Sequence, residues 1–169
     1  MVRVDIETIV MATGSVPSLV VLRERASEAD GGSTAPLRVL SIQTGPFEAA
    51  AISRGIEGVR GPRPITHDLF ISTLAALGAR LERVEINRVE APIFYSRLII
   101  ARNRSEEIAL DARPSDALAL AVRSNAPIYV EDDVMNRASS AQRRTDEESR
   151  DEELDRFDRF AHTVTPDDF

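Results

Sequence analysis

RLERVEINRVEAPIFYSRLIIARNRSEEIALD, residues 80–111, is the stretch on which the fold turns. It divides into three runs, Arg80–Val89, Ile93–Arg102 and Glu106–Asp111, broken only by Ala91-Pro92 and by Asn103-Arg104-Ser105. Apolar residues interleaved with polar ones and bounded by turn formers mark strands, and three in succession read as an antiparallel meander. The elements covering such a sheet are found on either side. Downstream, Pro114 opens a helix through Ser124 that buries Leu118, Ala121 and Val122, and Ala126–Val130 makes a short last strand. Upstream, Thr66 caps a helix with Asp68 in its first turn, sets Phe70, Leu74 and Leu77 on one stripe, and closes at Gly78. An earlier helix has Gly45 at its N-cap, Pro46 first, Glu48 third, and Ala49, Ile52 and Ile56 on one face, with Gly58 ending it. The loop joining the two, residues 59–64, is stiffened by Pro62 and Pro64.

Residues 2–11 alternate Val2, Val4 and Ile6 against Arg3, Asp5 and Glu7, a half-buried strand. A turn at Gly14-Ser15-Val16-Pro17 leads to a second strand from Leu19 to Glu24, and Leu37 to Gln43 is a third; Ala26 to Ala35 reads as a mobile loop between them. Six or seven strands and three helices that do not strictly alternate specify the α+β class: a mixed, largely antiparallel sheet covered by about three helices. This domain spans residues 1–136. Residues 137–151 read as an acidic linker, nearly without apolar side chains larger than Ala. Within residues 152–169, Leu154, Phe157 and Ala161 share one helical face with Phe160 beside them, a short C-terminal amphipathic helix that needs a surface to dock on.

Charge follows the same division. Residues 1–130 hold 15 Arg and 15 acidic residues and are neutral, whereas residues 131–169 hold 6 Arg and 13 acidic residues and carry the whole net charge of -7. The body therefore lacks the basic excess of a dedicated nucleic-acid-binding module, and any contact with a phosphate backbone must use a local group of arginines. Cysteine is absent, which removes disulfides and thiolate metal sites. The opening residues MVRVDIETIV do not form a secretory leader, and no run approaches the roughly 20 apolar residues of a membrane span. A cytoplasmic protein without membrane contact is expected.

Three helix starts gather polar residues: Thr44 to Glu48, Arg63 to Asp68, and Asp111 to Asp116. An acid in the first helical turn complements the helix dipole and caps free N–H groups for about 0.3–1 kcal/mol, so Glu48 and Asp116 taken singly read as structural. The third start holds more. Asp111 and Asp116 flank Arg113 at a strand-to-helix junction, where ligand sites often form. An internal ion pair holding the turn is the alternative, and the residues alone leave both open. Carboxylates without Cys or His suit Mg²⁺ or Mn²⁺ rather than Zn²⁺. His67 sits where the helix dipole disfavours an imidazolium, so a neutral ring able to act as general base is expected, with a structural histidine as the alternative. Arg54, Arg60 and Arg63 surround the two-proline loop and form the best cationic group for phosphates; a solvated face is the alternative.

Four segments together resemble the bifunctional nuclease domain family: Gly45-Pro46-Phe47-Glu48-Ala49, Arg63-Pro64-Ile65-Thr66-His67-Asp68-Leu69, Phe94-Tyr95-Ser96-Arg97-Leu98, and Asp111-Ala112-Arg113-Pro114-Ser115-Asp116-Ala117. Their order and separations agree over about residues 1–135. The resemblance implies an α+β fold, self-association with a dimer expected, and cleavage of both DNA and RNA. Its motif positions fall on Glu48, His67, Asp68, Asp111, Arg113, Ser115 and Asp116. On that basis Asp111, Asp116 and Glu48 are expected to hold a divalent metal, Mg²⁺ or Mn²⁺. His67, oriented by Asp68, is expected to activate water. Arg113 and Arg63, with Ser115, are expected to hold the substrate phosphate. Some relatives carry a further helical module after the body, in place of the acidic segment here. The competing expectation is a non-enzymatic interaction or regulatory module whose polar motifs hold helix starts and subunit contacts.

Overall fold

The computed structural model describes residues 1–12, 16–26, 37–102 and 106–140. Seven strands form one sheet in the order β3-β2-β1-β7-β4-β5-β6: β1 (Val2–Val10), β2 (Ser18–Glu24), β3 (Val39–Thr44), β4 (Ala79–Glu90), β5 (Ile93–Arg102), β6 (Glu106–Ala112) and β7 (Ile128–Val130). Among the described residues only β7 against β4 is parallel, and the other pairings are antiparallel. The expected meander is therefore present as β4-β5-β6. Short β7 slots between β1 and β4 and joins the N-terminal three strands to that meander.

The helices are α1 (Pro46–Ile56), α2 (Thr66–Ala76), α3 (Pro114–Ser124) and α4 (residues 132–140). Val20, Leu22, Leu40 and Ile42 of β2 and β3 and Val84, Ile86, Leu98 and Ile100 of β4 and β5 build the core with α3. On α3, Ala117 through Ala121 are all buried, because α1, α2, β4 and β5 all pack against this one helix. A bulge between Leu81 and Arg83 shifts the pleat, so Leu81 and Val84 both turn into the core despite their odd spacing.

Several expectations change in detail. α2 buries no residue completely; Phe70 and Leu74 pack on the core, but Leu77 is 68% exposed, and on α1 Ile56 is 53% exposed. The N-cap of α2 is Ile65 and not Thr66, and Asp68 accepts a hydrogen bond from the Ile65 N–H at 3.2 Å. Both Gly58 and Gly78 adopt positive φ (66° and 71°) where their helices end, as read.

Residues 137–140 are the larger correction. They continue α4, whose Val134 and Met135 are buried, and the buried Ser139 hydroxyl donates to the Val39 carbonyl of β3 at 3.0 Å. Arg38 adds a bond to the Asn136 side chain at 2.7 Å while pairing with Glu24. A linker thus does not begin at Arg137. The remainder of that segment, the amphipathic helix read within residues 152–169 and most of the loop read at 26–35 lie outside the described residues.

Candidate functional site

Three helix N-termini meet at the edge of α3. Arg113 is the N-cap of α3 and follows directly on β6, whose last carbonyl, Ala112, accepts the buried Ser96 hydroxyl of β5 at 2.7 Å. This bond gives the Phe94–Leu98 motif a structural meaning, since it fixes the strand end from which Arg113 projects. The Arg113 guanidinium, 66% exposed, binds Asp116 through Nε at 2.8 Å and Nη2 at 3.1 Å, and lies 3.5 Å from Glu48 of α1 through Nη1. His67 of α2 places Nε2 3.5 Å from Asp116 Oδ1. Four side chains from three helix starts thereby form one open cluster with Asp116 at its centre.

Local sequence sets this arrangement. Pro46 and Pro114 start α1 and α3 at defined points. Glu48 folds back over Gly45, where a Cβ would stand 2.3 Å from Glu48 Oε2, so a larger residue there would shift the carboxylate from this position. Arg113 holds the Asp116 carboxyl below the ordinary aspartate range, with partial burial opposing and His67 adding to the effect.

Asp68 does not orient His67. Being consecutive on a helix, the two side chains point in different directions. Asp68 instead binds Arg123 Nε at 2.8 Å, and Arg123 is itself buried, donating also to the Ala119 carbonyl at 2.8 Å. Partial burial pushes the Asp68 carboxyl up, but the bonds from Arg123 and the Ile65 N–H outweigh this and leave it below the ordinary range. The carboxylate facing His67 is that of Asp116. Sequence reasoning missed Arg123, although its signal was present: residues 116 and 123 are two helical turns apart, on one side of α3. Gly55 of α1 lets Arg123 pass, because a Cβ there would lie 2.5 Å from Val122 and 2.7 Å from Arg123 Nη1.

Asp111 also stands apart. It is register partner to Arg97, so it shares the sheet face of Arg97, opposite the face of Leu110 and Ala112. Among the described residues no three His, Asp or Glu side chains gather as a metal site, and the set Asp111, Asp116 and Glu48 does not fit a single ion. Glu48 and Asp116 do come together, with Arg113 between them. Among the described residues neither the Arg63 nor the Ser115 side chain forms a hydrogen bond or ion pair with the cluster. No helix among them is long and apolar enough to cross a membrane.

The profile of the bifunctional nuclease domain family matches residues 32–143. The chain belongs to this family. An uncharacterized protein of Mycobacterium tuberculosis is 43% identical over 137 residues, covering 78% of this chain and 81% of that protein. Bifunctional nuclease 1 of Oryza sativa subsp. indica is 32% identical over 103 residues, which is 60% of this chain and 30% of the rice protein. All four motif segments, and with them the bifunctional nuclease domain's cluster at Glu48, His67, Arg113 and Asp116, lie inside the matched span.

Proposed function

We propose that this bifunctional nuclease domain hydrolyses phosphodiester bonds in DNA and RNA at the Glu48–His67–Arg113–Asp116 cluster. The observation that carries the reading is the approach of His67 Nε2 to Asp116 beside the exposed Arg113 guanidinium. A neutral ring that offers its Nε2 proton to Asp116 keeps its lone pair on Nδ1, available to take a proton from water. Asp116 orients the ring and stabilises the imidazolium that results. Arg113 offers N–H groups to the non-bridging phosphate oxygens, and helix starts nearby favour the same negative charge. Glu48 holds Arg113 from the other side.

Mg²⁺ or Mn²⁺ is proposed as a cofactor that Glu48 and Asp116 would hold, and it would supply Lewis-acid stabilisation of the phosphate. Self-association is proposed on a separate support: the edge strand β6 leaves Ile108 and Leu110 exposed, and mass in solution tests it. The cytoplasm is the proposed place of action. The non-enzymatic reading keeps one observation in its favour, since Arg113 is already paired with both acids and so serves to tie α1 to α3.

Single-stranded DNA and RNA incubated with the purified protein, with Mg²⁺, with Mn²⁺ and with chelator, decide between the readings. Cleavage is expected, and His67→Ala should lower the turnover number by about 10²–10⁴-fold. A folded His67→Ala protein that cleaves like wild type would remove the hydrolytic role of the cluster. No cleavage by wild type under any condition would favour the interaction module.

A further inference from the structure

Among the described residues, a hollow lies beside the cluster, not in it. An open pocket of about 580 Å³ is bounded by the C-terminal end of α1, the two-proline loop and the outer face of α2 and α3. Its charged lining is Arg54, Arg60, Arg123 and Asp68. Arg123 is committed to Asp68, so this pair is neutral, with the Asp68 carboxylate partly exposed to the pocket. Arg54 and Arg60 are exposed, and among the described residues neither guanidinium has an acidic partner. The pocket lining thus sets three arginines against one aspartate, on a domain body that is neutral as a whole.

Its other walls are chosen for close approach. Gly55, Gly58 and Gly61 present backbone without side chains, and Pro62 and Pro64 hold the loop in place. The Arg54 Nη2 atom lies 3.9 Å from where a Gly61 Cβ would stand, so the arginine rests along this loop. Ile71 and Val122 supply an apolar side, and Ser72 and Asn125 supply hydrogen-bonding groups. A volume of this size, lined by free arginines together with apolar side chains, suits a small anionic ligand that also carries an apolar face.

Asp68 and His67 are consecutive, and Arg123 and Asp116 are seven residues apart on α3, about 10 Å along its axis. The pocket is therefore one short step from the hydrolytic cluster. We propose that it binds a nucleotide unit of a single-stranded nucleic acid, with the phosphate on Arg54 and Arg60 and the base against Ile71 and Val122. This assignment of a flanking substrate subsite rests on the nuclease reading for its role, but not for the binding itself.

The test is therefore a binding measurement on the full chain. Calorimetry with adenosine 5′-monophosphate, with inorganic phosphate, and with a short single-stranded phosphorothioate oligonucleotide separates free nucleotide, bare anion and strand. Wild type should bind the mononucleotide and, more tightly, the oligonucleotide. The Arg54→Gln, Arg60→Gln double variant, with an unchanged melting temperature, should lose at least about tenfold in affinity for both. Because the readout is binding and not cleavage, a wild type that binds without cleaving contradicts the hydrolytic reading and leaves this site standing. No binding of mononucleotide or oligonucleotide by wild type, affinity unchanged in the double variant, or inorganic phosphate binding as well as the nucleotide would each overturn the proposal.

Discussion

At the residue scale, the structure exchanges the expected parts of two aspartates: Asp68 was expected to orient His67, and Asp116 is the carboxylate that faces it. Asp116 pairs with Arg113 and faces His67; Asp68 pairs with Arg123. Both carboxyls are held below the ordinary aspartate value of 3.8. A folded-state value below the unfolded one gives stability that is complete above the ordinary value and is lost as pH falls through the depressed one. Urea unfolding should therefore show constant stability near neutral pH and a decline below the ordinary aspartate range, with a shallower decline in Asp116→Asn; identical profiles would contradict the pairing. Arg123→Met removes the buried guanidinium and strands Asp68, and should cost about 1–3 kcal/mol in the same assay. Gly55→Ala places a methyl group against Val122 and Arg123 and should cost about 1–3 kcal/mol by overpacking. If both variants unfold at the wild-type midpoint, the passage of Arg123 beneath α1 is not a structural element.

At the element scale, what local pattern determines was legible and what long-range pairing determines was not. The bounds of β5 and α3 follow from alternation and from Pro114, and they agree with the reading to the residue. The position of β7 between β1 and β4 depends on partners more than 40 and more than 120 residues away, for which a three-residue strand carries no signal. The helix over residues 132–140 was hidden because Val134 and Met135 are its only large apolar residues, set among charges. A chain ending at Ser140 should be more stable than one ending at Asn136 by about 1–2 kcal/mol, since the latter lacks the Ser139 bond to Val39 and the Ala138 packing. Equal stabilities would return residues 137–140 to the linker. The three helix starts were each legible from proline and acid placement. Their meeting was not, because it depends on α3 lying at the centre with α1 and α2 against it.

At the scale of the whole molecule, a neutral body concentrates its chemistry on one side, where the starts of α1, α2 and α3 converge. Asp111, close to Arg113 in sequence, is turned away by the pleat of β6, whereas Glu48, 65 residues from Arg113, is brought within reach. Opposite that side, Glu85 is 2% exposed between Arg83 and Arg97, and Arg83 extends to Glu107 of β6, which ties the meander that carries Arg113. Proximity in space, not in sequence, therefore assigns the site, and Asp116→Asn against Asp111→Asn tests this assignment most directly. With both variants confirmed folded, the initial rate of single-stranded DNA and RNA cleavage should fall by about 10²-fold or more in Asp116→Asn and stay near wild type in Asp111→Asn. Equal loss in both, or loss in Asp111→Asn alone, would contradict the cluster as the seat of catalysis.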